Sequence, residues 1–354
     1  MRANAVTYLS ALGTASVLIA AGAGCAREAG PDVVAATGPR VEASSEFLAA
    51  VSERSGAEPY RYEGRLTMGT GGAASLVPVM SITGEVEGER MSMAMDMGPM
   101  FETLGENGDV PPELVSGEPM MEMVSDGQSM YIRAPVLAAL RDTSLEEADG
   151  RLTGEVTFPP ILAELDGDTW GRVDLDAVAG DLGTLDVTGG QNADPTAMLD
   201  LVAAADDPRE LGGNRIQGVA VEGIGATITY GELVTGGGDV SEDEIAEQLR
   251  ESMPDDLGPP VDDADLDAMF EAMFATEVPL EVWVDEAGLV RQFVFELEVG
   301  AMMSEVGEAI DEPDPPPFVP TMRMAMDFLD YGDRSIEIEI PAESVDITDE
   351  YVDP

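Results

Sequence analysis

Cys25 is the one thiol in the chain, and it stands at the end of an apolar run of small residues, Ser16-Val-Leu-Ile-Ala-Ala-Gly-Ala-Gly-Cys25. The residues before it have the three parts of an export signal: Arg2 as a basic start, an apolar stretch from Tyr8 to Ala21, and small residues before a cut. A cysteine directly after that cut reads as a lipobox, whose thiol would take a diacylglycerol before cleavage. Buried acyl chains gain about 0.8 kcal/mol per methylene, so a multiply acylated Cys25 is a durable lipid anchor. Gly22 departs from the pattern, because most lipoboxes carry leucine three residues before the cysteine. The alternatives are an ordinary signal peptide that contains a cysteine, or an uncleaved span. The apolar run is shorter than the roughly 20 residues a span needs.

The rest of the composition narrows the chemistry. The 354 residues include 71 Asp+Glu against 17 Lys+Arg and no histidine, a formal charge of −54; every basic residue is an arginine. Such an acid excess excludes nucleic acid as a partner, since phosphate recognition needs basic side chains to replace counterions. It also argues against adhesion to an anionic membrane through a basic patch. Self-repulsion at this charge is severe unless salt screens it, which points to saline surroundings. Without histidine there is no Ser-His-Asp triad, no Cys-His pair and no imidazole metal site. Enzyme activity is not expected, and no cofactor or metal is expected.

The other residues with chemistry of their own are methionines, 21 in all, several in the strings Met91-x-Met-x-Met-x-Met97 and Met322-x-Met-x-Met326. Thioethers are soft ligands suited to Cu(I). On one strand, however, successive same-face residues lie about 6.8 Å apart, too wide for two neighbours to chelate one ion easily. Methionine is also flexible and polarizable, which suits a surface that accommodates varied apolar partners. The simplest alternative to such a surface is a filled core with methionine as gap-filler. Acidic loops such as Asp262-Asp263-x-Asp265 lack the spacing of an EF-hand calcium loop.

These side chains need elements to position them. Residues 1–24 are expected to be a signal peptide and 25–44 a flexible tether; 45–354 forms a single domain. A short helix is expected behind Ser44 or Ser45, with Phe47, Leu48 and Val51 on one face. Period-two alternation then recurs. Tyr62, Leu66 and Met68 form one such set; others are Met80, Ile82 and Val86, then Met91 to Met97, then Ile224, Ile228 and Tyr230. Val278 to Val284, Phe293 to Val299, Met322 to Phe328 and Ile336 to Ile340 continue it. That pattern predicts antiparallel strands with one wet and one dry face. Asp285-Glu-Ala-Gly288 predicts a tight hairpin loop. Helices are predicted after Asp194-Pro195, after the Ser241-x-x-Glu244 capping box, and from Asp262 with Leu266, Met269, Phe270, Met273 and Phe274 on one face. Acidic insertions are expected near 99–119, 234–275 and 300–320. The fold class is therefore α+β: a strongly curved antiparallel sheet, or half-barrel, with helices covering its concave face.

Several segments, in this order, resemble the LppX/LprG-type lipoproteins of actinobacteria. They are Cys25, the helix into Tyr60-Arg-Tyr-Glu-Gly-Arg-Leu-Thr, Ser125-Asp-Gly-Gln-Ser-Met-Tyr-Ile132 and Thr169-Trp-Gly-Arg-Val-Asp174. The Asp194-Pro195 helix, Gln217-Gly-Val-Ala-Val-Glu-Gly223, Val278-Pro-Leu-Glu-Val-Trp-Val-Asp-Glu-Ala-Gly-Leu-Val290 and Asp330-Tyr-Gly332 complete the series. The resemblance implies cell-envelope lipid carriers with a LolA-like half-barrel and a hydrophobic cavity for acylated lipids or glycolipids. The expected function is thus a membrane-anchored, extracytoplasmic binder or carrier of lipid, not an enzyme. Its expected cavity lining is Met93, Met95, Phe270, Met273, Phe274, Phe295, Met324, Met326 and Phe328. An envelope protein is a further candidate partner. The alternative is a surface lipoprotein with a filled core that serves interaction or sensing.

Overall fold

The structure, a computed structural model, describes residues 45–69, 76–100, 119–135, 167–178, 195–205, 208–235, 241–251, 263–309 and 321–348. The signal segment, Cys25 and the tether to residue 44 lie outside these, as do most of the insertion at 99–119 and residues 236–240, 252–262 and 310–320.

Along the chain come α1 (Ser45–Ser55), β1 (Tyr60–Gly69), β2 (Val77–Glu87), β3 (Arg90–Asp96), β4 (Met121–Ser125), β5 (Ser129–Arg133) and β6 (Gly171–Asp174). Next are α2 (Leu175–Val178), α3 (Pro195–Ala204), β7 (Arg209–Ile216), β8 (Val219–Thr229), α4 (Tyr230–Thr235), α5 (Glu242–Glu251) and α6 (Asp263–Phe274). The last are β9 (Glu277–Asp285), β10 (Val290–Glu298), α7 (Val299–Ala309), β11 (Thr321–Leu329) and β12 (Val345–Asp346).

Among the described residues, the twelve strands form one open sheet in the order β12-β6-β5-β4-β3-β2-β1-β11-β10-β9-β8-β7. Every pairing is antiparallel except that of β12 with β6. Two meanders, β1 to β6 and β7 to β10, pair strands that are consecutive in the chain. β11 joins them by pairing with both β1 and β10. The turns follow from their residues. Between β9 and β10, the Asp285 carboxylate accepts hydrogen bonds from the Ala287 and Leu289 amides at 2.8 and 3.0 Å. Gly288 supplies the left-handed backbone there, with φ of 75°. This is the hairpin predicted from Asp285-Glu-Ala-Gly288.

Alternation sends one set of strand side chains to an inner face, where they share a single apolar core with the buried residues of the helices. α3 starts at Pro195 as predicted and packs on α1 and on β8, β9 and β10, burying Met198, Leu199, Leu201 and Val202. The buried Ser55 hydroxyl at the end of α1 accepts the Val290 amide at 3.1 Å, which ties that helix to the start of β10. α6 and α7 pack on each other, and Val306 of α7 is buried. The reading of an acidic insertion near 300–320 did not foresee this helix.

The segment after β11 differs from expectation. Ile336, Ile338 and Ile340 alternate as a strand would, but residues 335–340 pair with no ladder. This stretch lies on the outer face, where Ile336 and Ile338 are buried against Val124 and Tyr131 of β4 and β5, with Trp170 and Ile340 at the margin. Period two reports an extended chain with one side covered, and does not require hydrogen-bonded neighbours. Arg61 pins the start of this strap through Glu85, Asp330 and Asp333 at 2.7, 3.1 and 3.0 Å. Its end is β12, where hydrogen bonds from Thr348, followed by that from Arg172, hold the Asp346 carboxyl down at about 2.

Candidate functional site

The inner face is the candidate site, and its residues are arranged by register. One row runs across the sheet as Met121, Met95, Ile82, Gly64, Met326, Phe293, Val282 and Ile224, each directly opposite the next. On one side of it lies the row Met80, Leu66, Met324, Phe295, Leu280 and Ala226. On the other side lies Ile132, Met123, Met93, Gly84, Tyr62 and Phe328. The strand residues predicted as lining (Met93, Met95, Phe295, Met324, Met326 and Phe328) therefore fall on three adjacent rows, although Met95 and Met326 are far apart in sequence.

The helical candidates come from α6. Phe270 and Phe274 are stacked with ring centroids 6.3 Å apart and planes at 18°. With Met273 they are buried, and they join the same apolar cluster as the strand residues. The structure thus brings all nine predicted side chains into one contiguous body of apolar side chains, each at most 7% exposed. Cys25, the predicted anchor, lies outside the described residues.

The middle of the face has a specific fit. The Tyr62 ring lies over Gly84, and a Cβ on Gly84 would stand 2.3 Å from Tyr62 Cζ and from the Ser92 carbonyl oxygen. The Tyr62 hydroxyl donates to that carbonyl at 3.2 Å, and burial raises its pKa well above the ordinary phenol value. Glycine is required at this position because an aromatic ring occupies the space of its side chain.

Sequence reasoning overlooked part of the face. Met121, Met123 and Met130 on β4 and β5 extend the methionine surface beyond β3. The signal for Met121 and Met123 is Met120-Met-Glu-Met123, too short to show alternation by itself. Met91, seen in the alternation, was also not chosen as lining; it is buried in the same cluster.

Electrostatics concentrate on the outer face. Asp327, 5% exposed, accepts a hydrogen bond from Gln292 Nε2 at 2.7 Å. Burial pushes its carboxyl up to about 6, against the hydrogen bonds from Gln292 and Gln217, which act to lower it. Among the described residues, no group of three or more His, Cys, Asp or Glu is placed to hold a metal ion. Nor is any described helix long and apolar enough to cross a membrane.

No family model matches the chain, and no curated protein sequence does. Among solved structures, it is similar to the lipoprotein LppX from Mycobacterium tuberculosis, with 9% identity and a TM-score of 0.35 over 83% of this chain and 98% of that one. It is similar to LprF from Mycobacterium bovis, with 12% identity and a TM-score of 0.31 over 86% of this chain and 97% of that one. A DUF1329 family protein from Desulfovibrio piger has 8% identity and a TM-score of 0.22 over 83% and 93% of the two chains. Likeness of this degree assigns neither a family nor a function.

Proposed function

We propose that this protein binds or carries acylated lipids or glycolipids without transforming them, on the outer side of the cytoplasmic membrane, tethered there through lipidated Cys25. In this reading the open sheet is curved as a half-barrel, with the helices across its concave side, and lipid chains enter against the inner face. The observation that carries it is the continuous apolar inner face with methionine concentrated on β3 and β4, where Met93 opposes Met123 and Met95 opposes Met121. Unbranched thioether side chains re-pack around flexible hydrocarbon at little cost, and each methylene so buried contributes about 0.8 kcal/mol. The export segment that ends at Cys25 supplies the location.

Native mass spectrometry and lipid extraction of gently purified protein test it. Co-purifying lipid, displaced by added fatty acid or glycolipid, is expected. A clean apo mass together with no uptake of a fluorescent fatty acid would overturn it. The second reading, a filled-core lipoprotein that contacts another envelope protein, is favoured by one observation: the candidate lining is already buried by protein atoms. A lipid-free result in both assays selects it.

A further inference from the structure

The register places methionines against one another in a way that neither strand does alone. On the inner face, Met93 of β3 is directly opposite Met123 of β4, and Met95 is directly opposite Met121. Met91 flanks the first pair on β3, and Met130 lies on β5, opposite Ser125 of β4. Directly opposed residues of an antiparallel pair have Cβ atoms about 4.5–5.5 Å apart, well inside the roughly 6.8 Å that separates same-face neighbours along one strand. A methionine sulfur is carried two bonds beyond Cβ on rotatable torsions, so opposed pairs can turn their sulfurs toward a shared point. The spacing that disfavours chelation by either Met-x-Met string is therefore removed by pairing the strands.

We infer that the paired methionines Met93, Met95, Met121 and Met123 form a thioether site for a soft monovalent cation of the Cu(I) or Ag(I) class. Soft sulfur ligands select such ions over the hard cations that carboxylates hold. The side chains are buried or half-buried in an apolar cluster, an environment that withholds water from the ion. The chain offers no histidine to compete for the ion, and its charge of −54 draws cations toward it. A thioether has no proton to lose, so uptake here is independent of pH, unlike uptake by thiolate or imidazole sites. This site shares Met93 and Met95 with the lining of the lipid reading but does not rest on that reading, since it needs neither a cavity nor a lipid.

The test is Ag(I) titration of the full chain carrying Cys25→Ser, so that the thiol does not compete, followed by methionine-methyl NMR in chloride-free buffer. Stoichiometric Ag(I) is expected to shift the methyl signals of Met93, Met95, Met121 and Met123, equally at about pH 5 and pH 7, with excess Ca²⁺ without effect. Met93→Leu combined with Met123→Leu is expected to weaken binding at least ten-fold, whereas Met198→Leu on α3 leaves it unchanged. Absence of shifts at those four methyls, or binding that follows carboxylate titration and yields to Ca²⁺, overturns the site. Because the methyl signals are read on a chain that keeps all its methionines, the outcome stands even if the double variant fails to fold. Lipid retention is scored separately by mass spectrometry, so failure of one proposal is distinguishable from failure of the other.

Discussion

The two wings of the sheet share one architecture but not one chemistry. On β8 to β10 the inner face is built of Ile224, Val278, Leu280, Val282, Val284, Phe293 and Phe295, and α3 packs directly on these strands. On β3 to β5 the same face is built of Met91, Met93, Met95, Met123 and Met130 with Ile132. Val278 and Val282 are 0% exposed and Phe293 1%; Met91, Met93 and Met95 on β3 are 9, 7 and 6% exposed, while Met123 and Met130 are as buried as the other wing. Branched and aromatic side chains have few rotamers and make a fixed surface; methionine has three soft torsions and makes an adaptable one. One wing is therefore a fixed surface, and the other is the one that the proposed lipid reading assigns to a guest of variable shape. β11 belongs to both, since it sets Met324 between Leu66 and Phe295 and Met326 between Gly64 and Phe293.

Breaking the rigid wing gives the largest effect. Phe293→Ala removes a fully buried ring and should cost about 3–5 kcal/mol, read from urea unfolding. A loss no larger than that of a methionine variant would erase the distinction between the wings. Next is Gly84→Ala, at the seam on β2. It drives a methyl into the Tyr62 ring and should cost at least about 1–3 kcal/mol by the same assay, with loss of the Tyr62 near-UV signal. Neutral behaviour would mean that the ring moves freely.

Asp327 tests the outer side of β11, the strand that the two wings share. Its carboxyl stands at about 6 when folded, above its ordinary value of 3.8, so the folded state holds that proton more tightly than the unfolded chain. Its contribution to stability is therefore greatest below that ordinary value, falls as pH rises through this window, and is flat above it. Asp327→Asn should remove that decline and stabilise the protein at neutral pH by on the order of 2 kcal/mol. Parallel pH profiles of the two proteins would refute the assignment.

On the adaptable wing, Met93→Leu and Met95→Leu should each cost less than about 1.5 kcal/mol. Together they should narrow the range of acyl-chain lengths retained, measured by lipid mass spectrometry across a chain-length series. An unchanged range would detach adaptability from methionine. The smallest effect is expected at the margin of this wing. Arg172→Gln breaks an exposed ion pair with Asp346 and should leave the unfolding midpoint unchanged at about 1 M salt, where exposed pairs are screened.

Much of this was legible in the sequence, for identifiable reasons. Alternation located β1, β2, β3, β8, β9, β10 and β11 and assigned their dry sides, because a strand between water and a core must alternate. Pro195 and the apolar spacing of Leu266 to Phe274 announced α3 and α6. β7 was not legible: Arg-Glu-Leu-Gly-Gly-Asn-Arg-Ile buries only Ile216, since an edge strand covered on neither side has no apolar rhythm. Ile336 to Ile340 gave a true signal of one-sided burial and a false one of pairing.

By itself the sequence determined which side chains seek shelter, the acid excess that keeps polyanionic partners such as nucleic acid away, and the thiol at Cys25. These are properties of residues and of their near neighbours along the chain. The tertiary structure decided which strands adjoin, and hence that Met93 meets Met123, that Met95 and Met326 share a row, and that the last isoleucines lie outside. Register is fixed by burial shared between segments tens to hundreds of residues apart. No local pattern encodes that distance.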